Sequence, residues 1–338
     1  MKIRVFLESA GNFEEQEILK KFHDGLYKFQ NWDKYEGDAN IDHLPWNEQY
    51  DVRYSLKNDY EDCDVAVIMG SWKPDRGSAH HQVRTAVVRK APMFICIETP
   101  LLGRTMFQPN KMQRVGIDGF LNNQAQFVGQ DHGSDRLNKL GIKWDGWKNN
   151  EQPDGHVLLM LQLPGDASLR GMDMYKWATW AVKRIREETD RKIIVRTHPG
   201  HNPKDADGVH KFIADIARTN TSNLEWSIGG RDGTTVQEDL KGAYCSVSYT
   251  SGSAIDSVLQ GIPSLACDPG NFTFDISSRY MQEINSLKKA GTKEVMQWLY
   301  NLAYSQWDYD EFVNGKAWLH LRPMIVKEWN RRFIKRRK

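Results

Sequence analysis

The chain has 338 residues, 40% of them apolar and 27% charged, and no tract of about eighteen apolar residues, which excludes a membrane-spanning, a collagenous and a wholly disordered protein. Its 46 Lys and Arg against 44 Asp and Glu leave a formal charge of +2, so the molecule is no polycation and any nucleic-acid contact must be local. At about 100 to 200 residues per domain the length suggests two domains, each with its own core.

Met1 to Glu8 turns charged too soon for a signal peptide. Strand-like apolar runs occur at 2–8, 51–56, 64–70 and 92–98, and Ile18, Leu19, Phe22, Leu26 and Phe29 recur at helical spacing within 14–29. A second helix is predicted from His80 to Lys90. Residues 141–155 are polar and rich in turn formers, without a sustained period, and we place a domain boundary there, giving an N-terminal domain over 1–145. A second series starts with a strand at 156–162 and a helix at 173–188, in which Trp177, Trp180, Ala181 and Ile185 are assigned to one face. Strands at 192–197, 223–228, 244–249 and 263–267 follow. Strand, helix, strand repeated twice predicts an α/β protein of two facing, doubly wound, Rossmann-like domains, the second over 156–282. Residues 283–338 read as a helical, aromatic segment with Trp298, Trp307, Trp318 and Trp329, expected by analogy to pack back on the first domain.

Cys63, Cys96, Cys245 and Cys267 are scattered and lie in or beside apolar runs. They read as small buried hydrophobes in a reducing, cytoplasmic setting. From Arg331 to Lys338 six of eight residues are basic; such a segment attracts phosphates through a salt-sensitive term, and reads equally as a solvated tail.

In an open parallel sheet, ligands bind beyond the carboxyl ends of the strands, where helices present their N-termini. After strand 156–162 come Gln162, Asp166 and Ser168, an amide, a carboxylate and a hydroxyl in one turn. After strand 192–197 comes Arg196-Thr197-His198-Pro199-Gly200. A cation and an imidazole held there suit a phosphate or diphosphate that gains charge as it leaves, although a lone His before Pro reads first as a structural hydrogen bond. Strand 244–249 runs into Tyr249-Thr250-Ser251-Gly252-Ser253, opening a helix that Gly261 closes before Pro263. Its N-terminal amides can receive an anion, and Asp256 suits ribose hydroxyls; Ser and Thr are also ordinary N-caps. Asp268-Pro269-Gly270-Asn271 follows the next strand and can line the same pocket.

Taken together, Gln162-Leu163-Pro164-Gly165-Asp166, Arg196-Thr197-His198-Pro199 and Ser251-Gly252-Ser253 to Gly261-Ile262-Pro263 resemble the C-terminal half of GT-B glycosyltransferases, in particular the capsule-polysaccharide type that includes Kdo transferases. The resemblance covers about residues 156–275. It departs from the capsule pattern at Leu163, between Gln162 and Pro164, and in lacking longer motifs of those enzymes. It implies a nucleotide-sugar donor, a UDP-sugar or else a CMP-sugar, held by Gln162, Asp166, Ser168, Arg196, His198, Thr250, Ser251, Gly252, Ser253 and Asp256. Arg196 and His198 would face the donor phosphate as catalytic groups, Ser251 and Ser253 would cap it, and Asp256 would hold the ribose.

The base is then expected from the N-terminal domain. Glu98, at the end of a strand, suits deprotonation of a hydroxyl acceptor, and reads equally as a salt-bridge partner of Arg104; Glu8 and the pair Asp131-His132 are alternatives. Asp62-Cys63-Asp64, Asp205-Ala206-Asp207 and Asp308-Tyr309-Asp310 match the short pattern that holds a divalent ion in GT-A enzymes, but three residues recur by chance in a chain rich in acids. His80-His81 and His198 to His201 lack a third partner at metal-binding spacing. No metal is therefore expected, the leaving group departing with help from a helix dipole and Arg196.

For the acceptor, the basic C-terminus and the aromatic and basic residues Trp72 to Arg76 and Arg104 to Phe107 point to double-stranded DNA. Together with a likeness in style to bacteriophage DNA-modifying transferases, they suggest a hydroxymethylated cytosine as the acceptor, flipped and stacked for reaction. A cytoplasmic transferase of surface or capsule polysaccharide is the first alternative. The second is a nucleotide-sugar epimerase, which converts donor without acceptor, or a non-catalytic nucleotide-sugar binder.

Overall fold

The computed structural model describes residues 1–29, 50–73, 77–103, 112–148, 154–200, 222–229 and 233–333. The chain divides into two compact units, one of Met1–Phe120, Gln124–His132 and Asn301–Lys338, the other of Leu121–Asn123 and Gly133–Tyr300.

Unit 1 opens with β1 (Lys2–Phe6) and α1 (Phe13–Lys28). Asn12 caps the helix by accepting from the Glu15 amide, and Ile18, Leu19, Phe22 and Leu26 form its buried stripe, the face that their spacing predicts. Next come β2 (Asp51–Ser55), β3 (Val65–Met69), α2 (Ala79–Lys90) and β4 (Phe94–Glu98). Val65 to Met69 are buried throughout, as the unbroken apolar run of a strand covered on both faces should be. β5 (Gln113–Ile117) then pairs antiparallel with β4.

Unit 2 contains α3 (Asp135–Lys139), β6 (His156–Met160), α4 (Met174–Glu188), β7 (Ile193–Arg196), β8 (Leu224–Ser227), α5 (Val236–Asp239), β9 (Ala243–Ser248), α6 (Ser253–Leu259) and β10 (Ser264–Ala266). All its strand pairs are parallel, and the sheet runs β10-β9-β6-β7-β8. Asp173 caps α4, whose buried side carries Met174, Trp177, Ala178, Ala181, Val182 and Ile185. Trp180, expected on that face, is 49% exposed. The residues placed at a boundary from the sequence lie against unit 2: Trp147 Nε1 donates to the Ala290 carbonyl at 2.8 Å and the Lys148 amide to the Gly261 carbonyl at 2.9 Å. Gly261 has φ +73°, and a Cβ there would meet the Gly146 carbonyl oxygen at 2.4 Å. Only glycine fits both the backbone and the contact.

The helix α7 (Thr292–Ala303) runs from unit 2 into unit 1. There β11 (Gln306–Trp307) adds antiparallel to β5, and α8 (Tyr309–Val313) and α9 (Lys316–Phe333) follow. The unit 1 sheet is β11-β5-β4-β3-β1-β2. Phe312, Ala317, Trp318, Leu321 and Ile325 share one buried core with Phe22, Leu26 and the β1, β3 and β4 side chains. Gln306, fully buried, ties this return to the loop after β4: its Oε1 accepts the Leu101 and Leu102 amides, both at 2.9 Å. Two α/β units with mainly parallel sheets are the fold class expected from the sequence. Among the described residues no helix is long and apolar enough to cross a membrane.

Candidate functional site

The β6 strand is the first laid down in the unit 2 sheet. From it the chain adds β7 and β8 on one side and β9 and β10 on the other. Strand order therefore reverses between β6 and β9, and in open α/β sheets ligands bind beyond the carboxyl ends of the strands at such a place. The residues that the sequence singles out after these strands meet there. The Thr250 amide donates to Gln162 Oε1 at 2.9 Å, and Gln162 Nε2 donates to Thr250 Oγ1 at 2.9 Å and to Ser168 Oγ at 2.5 Å. Thr250 Oγ1 donates to the Ser168 carbonyl at 3.1 Å. Ser168 donates through Oγ and through its amide to Asp166 Oδ1, at 2.6 and 2.9 Å. Gln162, Thr250 and Ser251 are buried, so this network fixes the mutual position of the two loops.

Asp268, at the end of β10, joins the same place. It pairs with Arg170, from the loop after β6, and its Oδ1 accepts the Gly270 amide at 2.7 Å. Burial, with Asp268 alongside, pushes the Tyr249 phenol up from its ordinary value. Arg170 leaves about one third of its side chain in solvent beside this pair. The sequence reading passed over it, because a non-glycine residue at φ 51° in a loop leaves no periodic signal. Asn271 Nδ2 donates to Ser248 Oγ at 3.0 Å and to the Tyr249 carbonyl at 3.1 Å, holding the β9 and β10 ends together.

Beyond Thr250, the Ser253 amide donates to Ser251 Oγ at 3.3 Å as the short α6 begins behind Gly252, and Asp256 is half-buried one turn on. Arg196 is placed differently from its neighbour His198. Its guanidinium turns into the unit, pairs with Asp239, and donates to the Thr234 carbonyl at 2.8 Å and Thr234 Oγ1 at 3.0 Å. His198 is exposed and accepts the Gly200 amide on Nδ1 at 3.0 Å.

In unit 1 the order reverses between β1 and β3. Buried Arg84 bridges the two loops there, donating to the Ser9 carbonyl at 2.7 Å, the Ser71 carbonyl at 3.0 Å and Glu15 Oε2 at 2.9 Å. A Cβ on Gly70, at φ +79°, would sit 2.7 Å from that guanidinium. Burial, with the Arg84 charge nearby, holds the neighbouring His80 imidazole below its usual value. Glu98 accepts the Thr99 amide at 3.0 Å and lies 4.0 Å from Arg114; Arg104, the partner weighed for it from sequence, falls outside the described residues. Glu8 is half-buried in the turn after β1, and His132 stacks on Tyr304 with centroids 4.0 Å apart.

Of the basic C-terminus, Arg331 pairs with Glu328, and Arg332 pairs with Asp118 at 2.6 Å; residues 334–338 lie outside the described residues. Trp72 packs edge-on against Phe94 and Phe120, while Pro74 to Arg76 and Arg104 to Phe107 are likewise outside. Asp64 Oδ2 accepts the Lys2 amide and Asp308 caps α8. Among the described residues no group of three or more His, Cys, Asp or Glu is set to hold a metal ion; Asp205, Asp207 and His201 are not among them. Burial pushes all four thiols up to about 12, so none supplies a thiolate at neutral pH.

No family model matches the sequence, and no curated protein matches it. Among solved structures the chain is similar to the Thermosulfurimonas dismutans KpsC β-Kdo 2,7 transferase, at 9% identity and a TM-score of 0.48, over 94% of this chain and 99% of that one. It is similar to the KpsC β-Kdo 2,4 transferase of the same organism at 12% identity and a TM-score of 0.45, over 76% and 84% of the two chains. The UDP-GlcNAc 2-epimerase of Methanocaldococcus jannaschii is similar at 12% identity and a TM-score of 0.32, over 97% and 100%. Kdo transferases, named above on sequence motifs, are thus among the structures that this chain resembles.

Proposed function

We propose that this chain is a glycosyltransferase that binds a nucleotide-sugar at the unit 2 crevice and passes the sugar to a hydroxyl acceptor. One observation carries the reading: Gln162, Asp166, Ser168 and Thr250, picked out separately after two strands, form one hydrogen-bonded network, buried at Gln162 and Thr250, across the place where strand order reverses. A network that fixes two ligand-facing loops pre-organises a binding site, which lowers the cost of ordering it around a ligand.

In this proposal Arg170, Ser251, Ser253 and His198 meet the donor's phosphate groups, Gly252 lets the backbone approach them, and Asp256 accepts from the ribose. Arg196 acts as a positioning residue, bracing the loop that carries His198. As the bond from the anomeric carbon to the phosphate oxygen breaks, its electron pair passes to the phosphate, where cations and amides stabilise it. The acceptor hydroxyl forms the new bond and surrenders its proton to a base, for which Glu98 of unit 1 is proposed. We assign acceptor binding to unit 1 and donor binding to unit 2, with UDP the first nucleotide to test and CMP the second. The proposal gives charge neutralisation to protein groups, and unaltered turnover in EDTA is its expected signature.

Thermal-shift titration with UDP, CMP and their sugar esters tests the donor reading. A ligand at about 100 times its Kd adds about 2.7 kcal/mol of stability; no shift with any of them would remove it. Hydroxymethylated duplex DNA is the finer proposal for the acceptor, and it draws nothing from Arg331 and Arg332, which pair internally. Transfer of labelled sugar to such a duplex, against transfer to an oligosaccharide, separates it from polysaccharide synthesis. Conversion of donor with no acceptor present would show an epimerase.

A further inference from the structure

The strand β2 ends the unit 1 sheet, and among the described residues no strand pairs with its outer edge. Asp51 to Ser55 run parallel to Lys2 to Phe6, and the Asp51 amide donates to the Met1 carbonyl at 3.0 Å. Alternate residues of a strand turn their N–H and C=O to the same side, so Asp51, Arg53 and Ser55 bond β1 while Val52 and Tyr54 present theirs outward. Leu56 and Lys57 follow before the bend at Asn58. We propose that this edge is a dimerisation surface, on which β2 of a second copy of the chain lies antiparallel and joins the two unit 1 sheets.

The segment Asp51-Val52-Arg53-Tyr54-Ser55-Leu56-Lys57 is complementary to itself. Antiparallel pairing about a two-fold axis at Tyr54 sets Tyr54 against Tyr54, Val52 against Leu56, Arg53 against Ser55 and Asp51 against Lys57. The outward amides and carbonyls then meet one another, and an acid faces a base at both ends. Moving the axis by one residue brings Arg53 against Arg53 or against Lys57, and like charges directly opposite are destabilising. An axis at Val52 leaves Leu56 beyond the paired segment. Asp51 is already bonded to Arg4 at 2.8 Å and to Arg53 at 2.7 Å, so the charges select the register, while the backbone ladder and apolar contact supply the attraction.

That apolar contact lies on the α1 side of the strand. Val52 shares the unit 1 core with Leu19, Phe22 and Leu26 of α1, and side chains two apart share a face, which brings Tyr54 and Leu56 to the same side. Leu56 is 69% exposed, and Tyr54 and Tyr27 are exposed as well. The Tyr54 ring stacks on His23 of α1 with centroids 3.8 Å apart, and His23 stacks on Tyr27 at 5.9 Å. Tyr54 is therefore held in place before a partner arrives and loses little freedom on docking. Apolar side chains scattered singly over a surface are ordinary, whereas these are grouped beside an unpaired edge, where a partner strand would cover them.

Sedimentation equilibrium of the full chain tests the proposal. Wild type should pass from 39.1 kDa to the dimer mass as concentration rises from micromolar to submillimolar. Leu56→Lys, at a side chain already in solvent, acts twice in a symmetric pair and should weaken dimerisation roughly tenfold. Tyr54→Pro removes an N–H that faces away from β1, leaves the ladder within the chain whole, and should abolish the dimer. Lys57→Glu, opposite Asp51, should weaken it several-fold, and less so in high salt. A mass that stays at 39.1 kDa at every concentration, a dimer untouched by Leu56→Lys and Tyr54→Pro, or one that Lys57→Glu leaves unmoved would each overturn it.

Discussion

Replacing Arg196 by Met should cost the protein stability before it costs ligand affinity. The side chains of Arg196 and Asp239 are 6% and 9% exposed. Besides this ion pair, Arg196 donates to the Thr234 carbonyl and to Thr234 and Ser227 hydroxyls. Asp239 is left with the Ser227 hydroxyl at 2.5 Å and the Thr234 hydroxyl at 3.2 Å, too little to replace the guanidinium for a buried carboxylate. Breaking such a pair from one side costs about 3 to 5 kcal/mol, which for a domain of this size is a fall of roughly 6 to 20 °C in Tm. Scanning calorimetry of wild type, Arg196→Met, Asp239→Leu and the double variant gives the coupling directly. The double variant should regain most of the loss, because no uncompensated charge stays buried, and should still be stabilised by UDP. An Arg196→Met protein that melts within about 1 °C of wild type yet no longer responds to UDP would refute the reasoning and return the guanidinium to the ligand.

The other expectations act at separate places. Gln162→Leu strips the acceptor from the amide of Thr250, a residue 5% exposed, and should lower stability by about 1 to 3 kcal/mol while abolishing the UDP-induced shift; a full shift would show that the network does not shape the donor site. Glu98→Gln should keep donor affinity, measured by titration, and lose sugar transfer, whereas full turnover would reject it as the base. Burial holds the His156 imidazole, which bonds the Asp239 carbonyl at 2.8 Å, below its ordinary 6.5. Between that lowered value and about 6.5 the unfolded chain binds more protons, so His156 should contribute full stability above about 6.5 and lose it as pH falls through the window. Burial also lowers His23 and His80, with the same sign. Denaturation midpoints that rise on acidification from pH 7 to 5 would contradict this, and His156→Gln should flatten the slope.

What could be read in the sequence was read through burial. β3 and, after His156, β6 are covered on both faces and appear as apolar runs, and β9 keeps Ala243, Tyr244, Cys245 and Val247 beside two buried serines, so their carboxyl ends, and with them Gln162 and Thr250, can be marked from the sequence alone. Their meeting cannot. The two residues are 88 apart, and adjacency of β6 to β9 is a property of strand order, which no local pattern encodes. β5 and β11 were missed for a different reason. Gln113–Ile117 is a short strand with a polar start, and Gln306–Trp307 is two residues long, below the length at which alternation separates from chance.

Local position alone also falls short where packing decides. The sequence reading puts Trp180 on one face with Trp177, Ala181 and Ile185, yet the buried side of α4 also takes Met174, Ala178 and Val182, which centres the stripe farther round the helix, and 3.6 residues per turn places 180 away from it. Arg196 raises the same point in the site itself. A cation one residue from the end of a buried strand can turn outward to a ligand or inward to a carboxylate, and its own neighbours in sequence say nothing of which. The choice is made by Asp239, 43 residues away, whose desolvated carboxylate needs a partner whether or not a donor is bound. His198 lies exposed, and Arg170, though ion-paired with Asp268, leaves about a third of its side chain in solvent; under the proposed function that difference in burial separates groups that brace a loop from groups that meet its ligand.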